Sequence, residues 1–284
     1  MSYDQFIAAK LGTIASAGID APLRDYALFP HQRDLTKWAL RRGKSAIFAD
    51  TGLGKMRMAI AWADTVVAHT GLPVMILCPL AVAQQFVAEG LLMGIEVTHC
   101  REQQDVRHGI NITNYDRLHK FDMGMFAGVA LDESSIIKSH ASKTLALLMD
   151  AFRTTPYKLC CTATPSPNDW TELGTHAEFL GVRSRSEMLA EFFVHDGGDT
   201  SVWRLKGHAR TVFWRWVASW GAMIRSPADL GYDASAYALP PLHIHQHTVE
   251  IEHNPLHGLF AQEAQTLSER RQSRRDSMAA RVQA

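Results

Sequence analysis

From residue 46 to residue 164 the chain alternates short apolar, β-rich runs with longer stretches whose apolar positions recur at helical spacing. The short runs predict strands at Ala46 to Ala49, Val74 to Cys78, Val97 to His99, Gly109 to Thr113, Val129 to Asp132 and Lys158 to Thr162. Several are apolar at consecutive positions, as strands buried on both faces are. Between the first two, Ala59, Trp62, Ala63 and Val66 mark one helix face, and Gly71 and Pro73 supply its stop. Strand and helix in alternation predict an α/β fold, a parallel sheet covered by helices on both faces.

After Pro167 the pattern turns helical and aromatic, with a Gly- and Asp-rich loop from His195 to Thr200. Phe213, Trp216, Val217 and Trp220 fall at helical core spacing. The same stretch interleaves Trp203, Trp214, Arg204, Lys206, Arg210 and Arg215, and its Leu205 to Arg210 portion is a candidate DNA-facing loop. Leu239, Pro240 and Pro241 read as a rigid linker, and the alternating run from Leu242 to Glu252 as a half-buried strand. His243, His245 and His247 share a face of that strand, where an ordinary strand is the simpler reading than a zinc site. The charged run from Glu269 to Asp276 reads as a solvated helix face. A stripe through Leu256, Phe260, Ala264, Leu267, Met278 and Val282 reaches the last residue without a capping signal, so the chain is expected to continue past it. The expected divisions are 1–24, an N-terminal extension; 25–181, the main lobe; 182–238, a helical and aromatic insertion; and 239–284, a linker strand and helix.

An apolar content of 46% over 284 residues provides for a substantial core, and a formal net charge of zero means that a nucleic acid would meet local basic patches and no global field. The cysteines, Cys78, Cys100, Cys160 and Cys161, form no Cys-x-x-Cys pair and read as buried thiols of a reducing compartment. With no apolar run long enough to span a bilayer and no signal peptide, a cytoplasmic protein with no membrane partner is expected.

Chemistry concentrates in Ala49-Asp50-Thr51-Gly52-Leu53-Gly54-Lys55-Met56, which follows a predicted strand and opens a predicted helix. That is the setting of a phosphate-cradling loop. Main-chain amides of Thr51, Gly52, Leu53 and Gly54, with the positive end of the helix, are placed to bind phosphates, and the Lys55 ammonium to reach the terminal ones. Met56 stands where the pattern has Ser or Thr for magnesium, and a thioether is a poor ligand for a hard cation. Nucleotide binding is therefore expected, with hydrolysis open. At another strand end, Asp132 and Glu133 precede Ser134 and Ser135. Downstream of a phosphate loop, Asp132 is positioned to hold magnesium and Glu133 to orient or deprotonate the attacking water.

In order along the chain, Phe29-Pro30-His31-Gln32, Asp50 to Lys55, Cys78-Pro79-Leu80, Ile112 to Asp116, Asp132 to Ser135 with Lys138, and Thr162-Ala163-Thr164-Pro165 resemble the motifs of the superfamily 2 helicase-ATPases. The resemblance covers about residues 25 to 170, is closest to the SWI/SNF-like branch and its phage- or prophage-borne members, and implies a RecA-like P-loop NTPase lobe. It implies ATP and magnesium as cofactors, with Gln32 on the adenine edge. It also implies DNA contacts through Pro79 to Gln85 and Thr113 to Asp116, including Leu80, Asn114 and Tyr115, and coupling through Thr162 and Thr164. A second RecA-like lobe would bring arginines to the γ-phosphate, and no motif for one is present in the sequence. The implied activity is a DNA-dependent ATPase or translocase; the alternative is a nucleotide- or DNA-binding module without turnover, motivated by Met56. A small-molecule kinase is the third reading, disfavoured because no lid or acceptor site is evident.

Overall fold

The computed structural model describes residues 18–140, 142–196, 199–238, 244–245 and 266–283. The chain divides into two compact units, Met1–Tyr237 and Ala238–Ala284. In the first, the elements run α1 (Pro30–Arg42), β1 (Lys44–Ala49), α2 (Lys55–Thr70), β2 (Val74–Cys78), α3 (Ala83–Leu92), β3 (Val97–His99), β4 (Ile110–Asn114), β5 (Gly128–Asp132), α4 (Lys143–Ala151) and β6 (Tyr157–Thr162). They continue with α5 (Leu173–Phe179), α6 (Arg185–Phe192), β7 (Phe193–Asp196), β8 (Asp199–Leu205), α7 (Arg210–Ala218) and β9 (Gly221–Ile224). Every strand expected between residues 46 and 164 is present.

Seven strands form one sheet in the order β3-β4-β2-β5-β6-β1-β9, and its pairings are parallel. The expected α/β, RecA-like architecture is the observed one. Alternate residues of β1 explain how both faces are covered. Ile47 and Ala49 join the apolar cluster of Leu35, Ile60, Trp62 and Phe86 from α1 to α3, whereas Ala46 and Phe48 join Leu148, Phe179, Phe213 and Trp220 on the other face. Trp62, Trp220, Phe48 and Phe86 are fully buried. Burying a phenylalanine side chain of this kind favours the fold by about 1.5–3 kcal/mol.

The segment 182–238 departs from the helical insertion expected there. Residues Phe193–Asp196 and Asp199–Leu205 pair as an antiparallel ribbon where a loop was expected, and Gly221–Ile224 adds the edge strand β9 beside β1. The first compact unit accordingly runs through Tyr237, past the boundary expected near residue 181. Helix α7 does bury Phe213, Trp216 and Val217, as its spacing predicted.

In the second unit, α8 (Leu267–Asp276) and α9 (Met278–Gln283) are helical, and Arg270, Arg271, Arg274 and Arg275 are exposed, as a solvated face requires. Residues 1–17, the Leu239 to Pro241 linker, most of the Leu242 to Glu252 strand with His243 and His247, and the Leu256 to Ala264 stripe lie outside the described residues.

Candidate active site

The phosphate loop occupies the turn from β1 into α2, at the carboxyl edge of the sheet where open α/β folds bind ligands. Strand β9 fixes its entry: Asp50 N donates to Ile224 O at 3.0 Å. Glycine is required at two positions, since Gly52 and Gly54 adopt φ of 85° and 82°. A Cβ on Gly54 would also lie 2.2 Å from Gln32 Nε2, while none of the neighbouring heavy atoms comes within 4 Å of one on Gly52. Gly52 thus faces an open cradle. Lys55 Nζ donates to Ala49 O at 2.9 Å and to Asp50 O at 3.2 Å, so the ammonium rests on its own loop's carbonyls. Thr51 is exposed, and its N–H donates to Asp50 Oδ1 at 2.7 Å. Leu53 is buried, and Met56 packs against the apolar cluster of the α1 to α3 face, offering no oxygen.

Facing this loop is the acidic turn after β5. Glu133 takes φ 50° and ψ 51°, a left-handed conformation uncommon for a residue with a Cβ and typical of functional turns. Its carboxylate Oε2 accepts from Thr162 Oγ1 at 3.2 Å, and Thr162 Oγ1 in turn accepts from Thr164 N at 3.1 Å. Tyr115 Oη donates to Asp132 O at 2.6 Å, and Ser134 Oγ lies 3.1 Å from His176 Nε2. Burial and then the neighbouring Glu133 carboxylate push the Asp132 carboxyl up to about 6, against the pull of the Lys55 ammonium. The Lys55 ammonium is thus near enough to act on the charge of Asp132, while its own hydrogen bonds go to the loop carbonyls.

Other residues singled out by sequence take different positions. Gln32 is only 2% exposed. Its amide bridges main chain: Oε1 accepts from Phe29 N at 3.1 Å and Nε2 donates to Leu53 O at 3.2 Å. Of the residues expected to face nucleic acid, Leu80 is 71% exposed beside a half-buried Pro79, whereas Asn114 and Tyr115 are buried. Tyr115 turns inward to the acidic turn because its hydroxyl finds a main-chain partner there. In the Leu205 to Arg210 loop, the Lys206 ammonium donates to Ala190 O and Glu191 O, both at 2.9 Å, which caps the end of α6. Sequence reasoning missed His176, which no motif marks: a single histidine in an apolar helix reads as core.

The SNF2-related domain matches residues 31–218 of this chain. Among solved structures, the chain is similar to the Sulfolobus solfataricus SWI2/SNF2 ATPase core in complex with dsDNA, at 20% identity and a TM-score of 0.56, covering 74% of this chain and 46% of that one. The Sulfolobus solfataricus SWI2/SNF2 ATPase core domain matches at 21% identity and the same TM-score of 0.56, covering 81% of this chain and 48% of that one. The chain spans about half the length of these solved relatives. No curated protein matches it. Among the described residues no helix is long and apolar enough to cross a membrane. The match over residues 31–218 places the chain in the SNF2-related domain family, and the solved relatives share its fold.

Proposed function

We propose that this chain is the ATP-binding lobe of a cytoplasmic DNA-dependent ATPase that translocates on duplex DNA, working with a second RecA-like lobe. The observation that carries the reading is that the Lys55 loop after β1 and the Asp132–Glu133 turn after β5 lie at the same carboxyl edge of the sheet, their strands separated by β6 alone, with Lys55 near enough to act on the charge of Asp132. In this reading, residues 25–181 with β9 hold the nucleotide, and 239–284 lead toward the second lobe.

The amides of Thr51 to Gly54 bind phosphate oxygens, and the Lys55 ammonium exchanges the carbonyls of Ala49 and Asp50 for the terminal phosphate. Two adjacent carboxylates facing a single ammonium suit a hard divalent cation, so the residues fit magnesium, with Asp132 as its protein ligand and Met56 contributing none. Bound there, magnesium would withdraw charge from the phosphate oxygens. Glu133, held by Thr162, takes a proton from the attacking water, and Thr164 joins that contact to the strand end as the coupling element. The exposed loop at Pro79 and Leu80 meets the DNA backbone, while Asn114 and Tyr115 shape the interior end of β4. Gln32 serves adenine recognition by fixing the loop and the Phe29 main chain.

Phosphate release from magnesium-ATP, with and without duplex DNA, tests this reading. The wild-type chain is expected to bind ATP and, when completed by a second RecA-like lobe, to release phosphate faster with DNA, while Glu133→Gln binds equally and does not turn over. Failure of the wild-type chain to bind ATP overturns it. A second reading, a binding module without turnover, is favoured by Met56 lying against the core; binding without phosphate release in the wild type, together with release in Met56→Thr, would establish that one.

A further inference from the structure

The acidic turn has a left-handed Glu133 at its centre, and a non-glycine residue keeps that conformation only where its surroundings over-determine it. Two of the contacts around it join residues of the sequence motifs, Thr162 to the Glu133 carboxylate and Tyr115 to Asp132 O. The third involves a residue that no motif marks. Ser134, fully buried, directs Oγ to Nε2 of His176 at 3.1 Å, and His176 is itself fully buried in the middle of α5. Ser134 is the partner of Nε2, and the Glu172 main chain also acts on the ring, although Nδ1 makes no hydrogen bond of ordinary length among the described residues. Burial pushes His176 down to about 4 against the opposing pull of Glu172 and Ser134, so the ring is neutral at physiological pH.

A buried imidazole with a single hydrogen bond of ordinary length is an expensive way to fill apolar space, and leucine would fill it without that desolvation. The position of the ring gives the reason for a polar group. It stands perpendicular to the Phe48 ring, with centroids 5.3 Å apart and planes at 89°, and Phe48 is the residue before Ala49 at the entry to the phosphate loop. One side chain therefore touches both halves of the nucleotide site. Helix α5 is fastened at its far end as well, where the buried Lys158 ammonium donates to Phe179 O at 2.8 Å.

We propose that Ser134 and His176 form a latch that sets the geometry of Glu133 against the phosphate loop, His176 being a positioning residue that acts through Ser134 and Phe48 and touches no substrate. The inference rests on the proposed role of Glu133 in hydrolysis. Its structural part is independent of turnover, because Ile136 N donates to Glu133 O at 3.1 Å and this hydrogen bond exists only while the turn is formed.

The test compares wild type, Ser134→Ala, His176→Leu and His176→Gln, the last of which carries an amide nitrogen near the position of Nε2. Three quantities are measured: magnesium-ATP affinity, DNA-stimulated kcat, and hydrogen exchange of the Ile136 amide. Ser134→Ala and His176→Leu are expected to keep ATP affinity within about twofold, to lower kcat by at least about tenfold, on the scale of losing a positioned general base, and to speed Ile136 exchange. His176→Gln is expected to restore most of the kcat. Equal kcat and equal Ile136 exchange in wild type and His176→Leu would overturn the latch, as would a His176→Gln variant no better than His176→Leu in both. If wild type completed by a second RecA-like lobe hydrolyses no ATP, the reading of Glu133 as a base fails on its own, and Ile136 exchange alone decides the latch: faster exchange in Ser134→Ala upholds it and unchanged exchange sinks it.

Discussion

The two halves of the proposed nucleotide site are built by different means. On the loop side, conformation is fixed by the backbone: glycines at positive φ, a helix start and main-chain hydrogen bonds from β9. On the acidic side, a strained non-glycine turn is held by hydroxyl and imidazole groups from β4, β6 and α5, elements distant in sequence. A backbone-made site is written into consecutive residues. A site held by side chains across the fold is written in pieces, each of which looks ordinary alone.

The largest test of this contrast is Gly54→Ala. Left-handed φ costs a side-chain-bearing residue about 1–2 kcal/mol, and the clash with Gln32 adds about 1–3 kcal/mol of overpacking. Denaturant unfolding is expected to show that combined loss, with ATP binding lost alongside it; unchanged stability would break the claim that backbone geometry governs the loop.

Lys158 probes the fastening of α5. Burial, and then Lys44, lower its amine from 10.5 to about 8. The unfolded chain therefore binds more protons between those values, and this group's contribution to stability rises as pH increases through that window. Each pKa unit corresponds to about 1.4 kcal/mol. Lys158→Met should hold an advantage over wild type that shrinks by roughly 3 kcal/mol from pH 7 to pH 10.5, measured by urea unfolding at both ends. A pH-independent difference would show that the buried charge is not the cause.

A smaller effect is expected at Met56. Met56→Thr places a hydroxyl where the thioether packs, and an added ligand is expected to raise magnesium-dependent ATP affinity by roughly tenfold, on the scale of one hydrogen bond to a charged group. Calorimetry with and without magnesium would show it, and an equal change in both would assign the effect to repacking. The smallest is Tyr115→Phe, which removes the 2.6 Å hydrogen bond to Asp132 O. About 1 kcal/mol of stability should go with it, with kcat falling more than ATP affinity; a change confined to DNA affinity would place Tyr115 at the nucleic acid instead.

Legibility in the sequence follows the same division. The strands from β1 to β6 were readable because each is an apolar run bounded by turn residues, and their ends shifted by at most two residues, as at Lys44 against Ala46. Strand β9 was hidden: Gly221–Ile224 is short, and it follows a helix whose aromatic spacing dominates the pattern. The β7 and β8 ribbon was hidden by a Gly- and Asp-rich stretch that reads as loop. Lys55, Asp132 and Glu133 were legible as candidates, because each stands in a motif at a strand end. The inward turn of Tyr115, the closed amide of Gln32 and the partnership of Ser134 with His176 were not, because each depends on which residue the fold brings opposite.

The central claim, that Lys55 and Asp132 serve one triphosphate, is tested most directly by calorimetric titration of ATP into wild type, Lys55→Ala and Asp132→Asn, with and without magnesium. Lys55→Ala is expected to lower affinity by about 100-fold in both conditions, on the scale of a charge-assisted hydrogen bond lost from a buried phosphate. Asp132→Asn is expected to remove only the increment that magnesium adds. Undiminished affinity in Lys55→Ala, or a magnesium increment that survives in Asp132→Asn, would contradict the account.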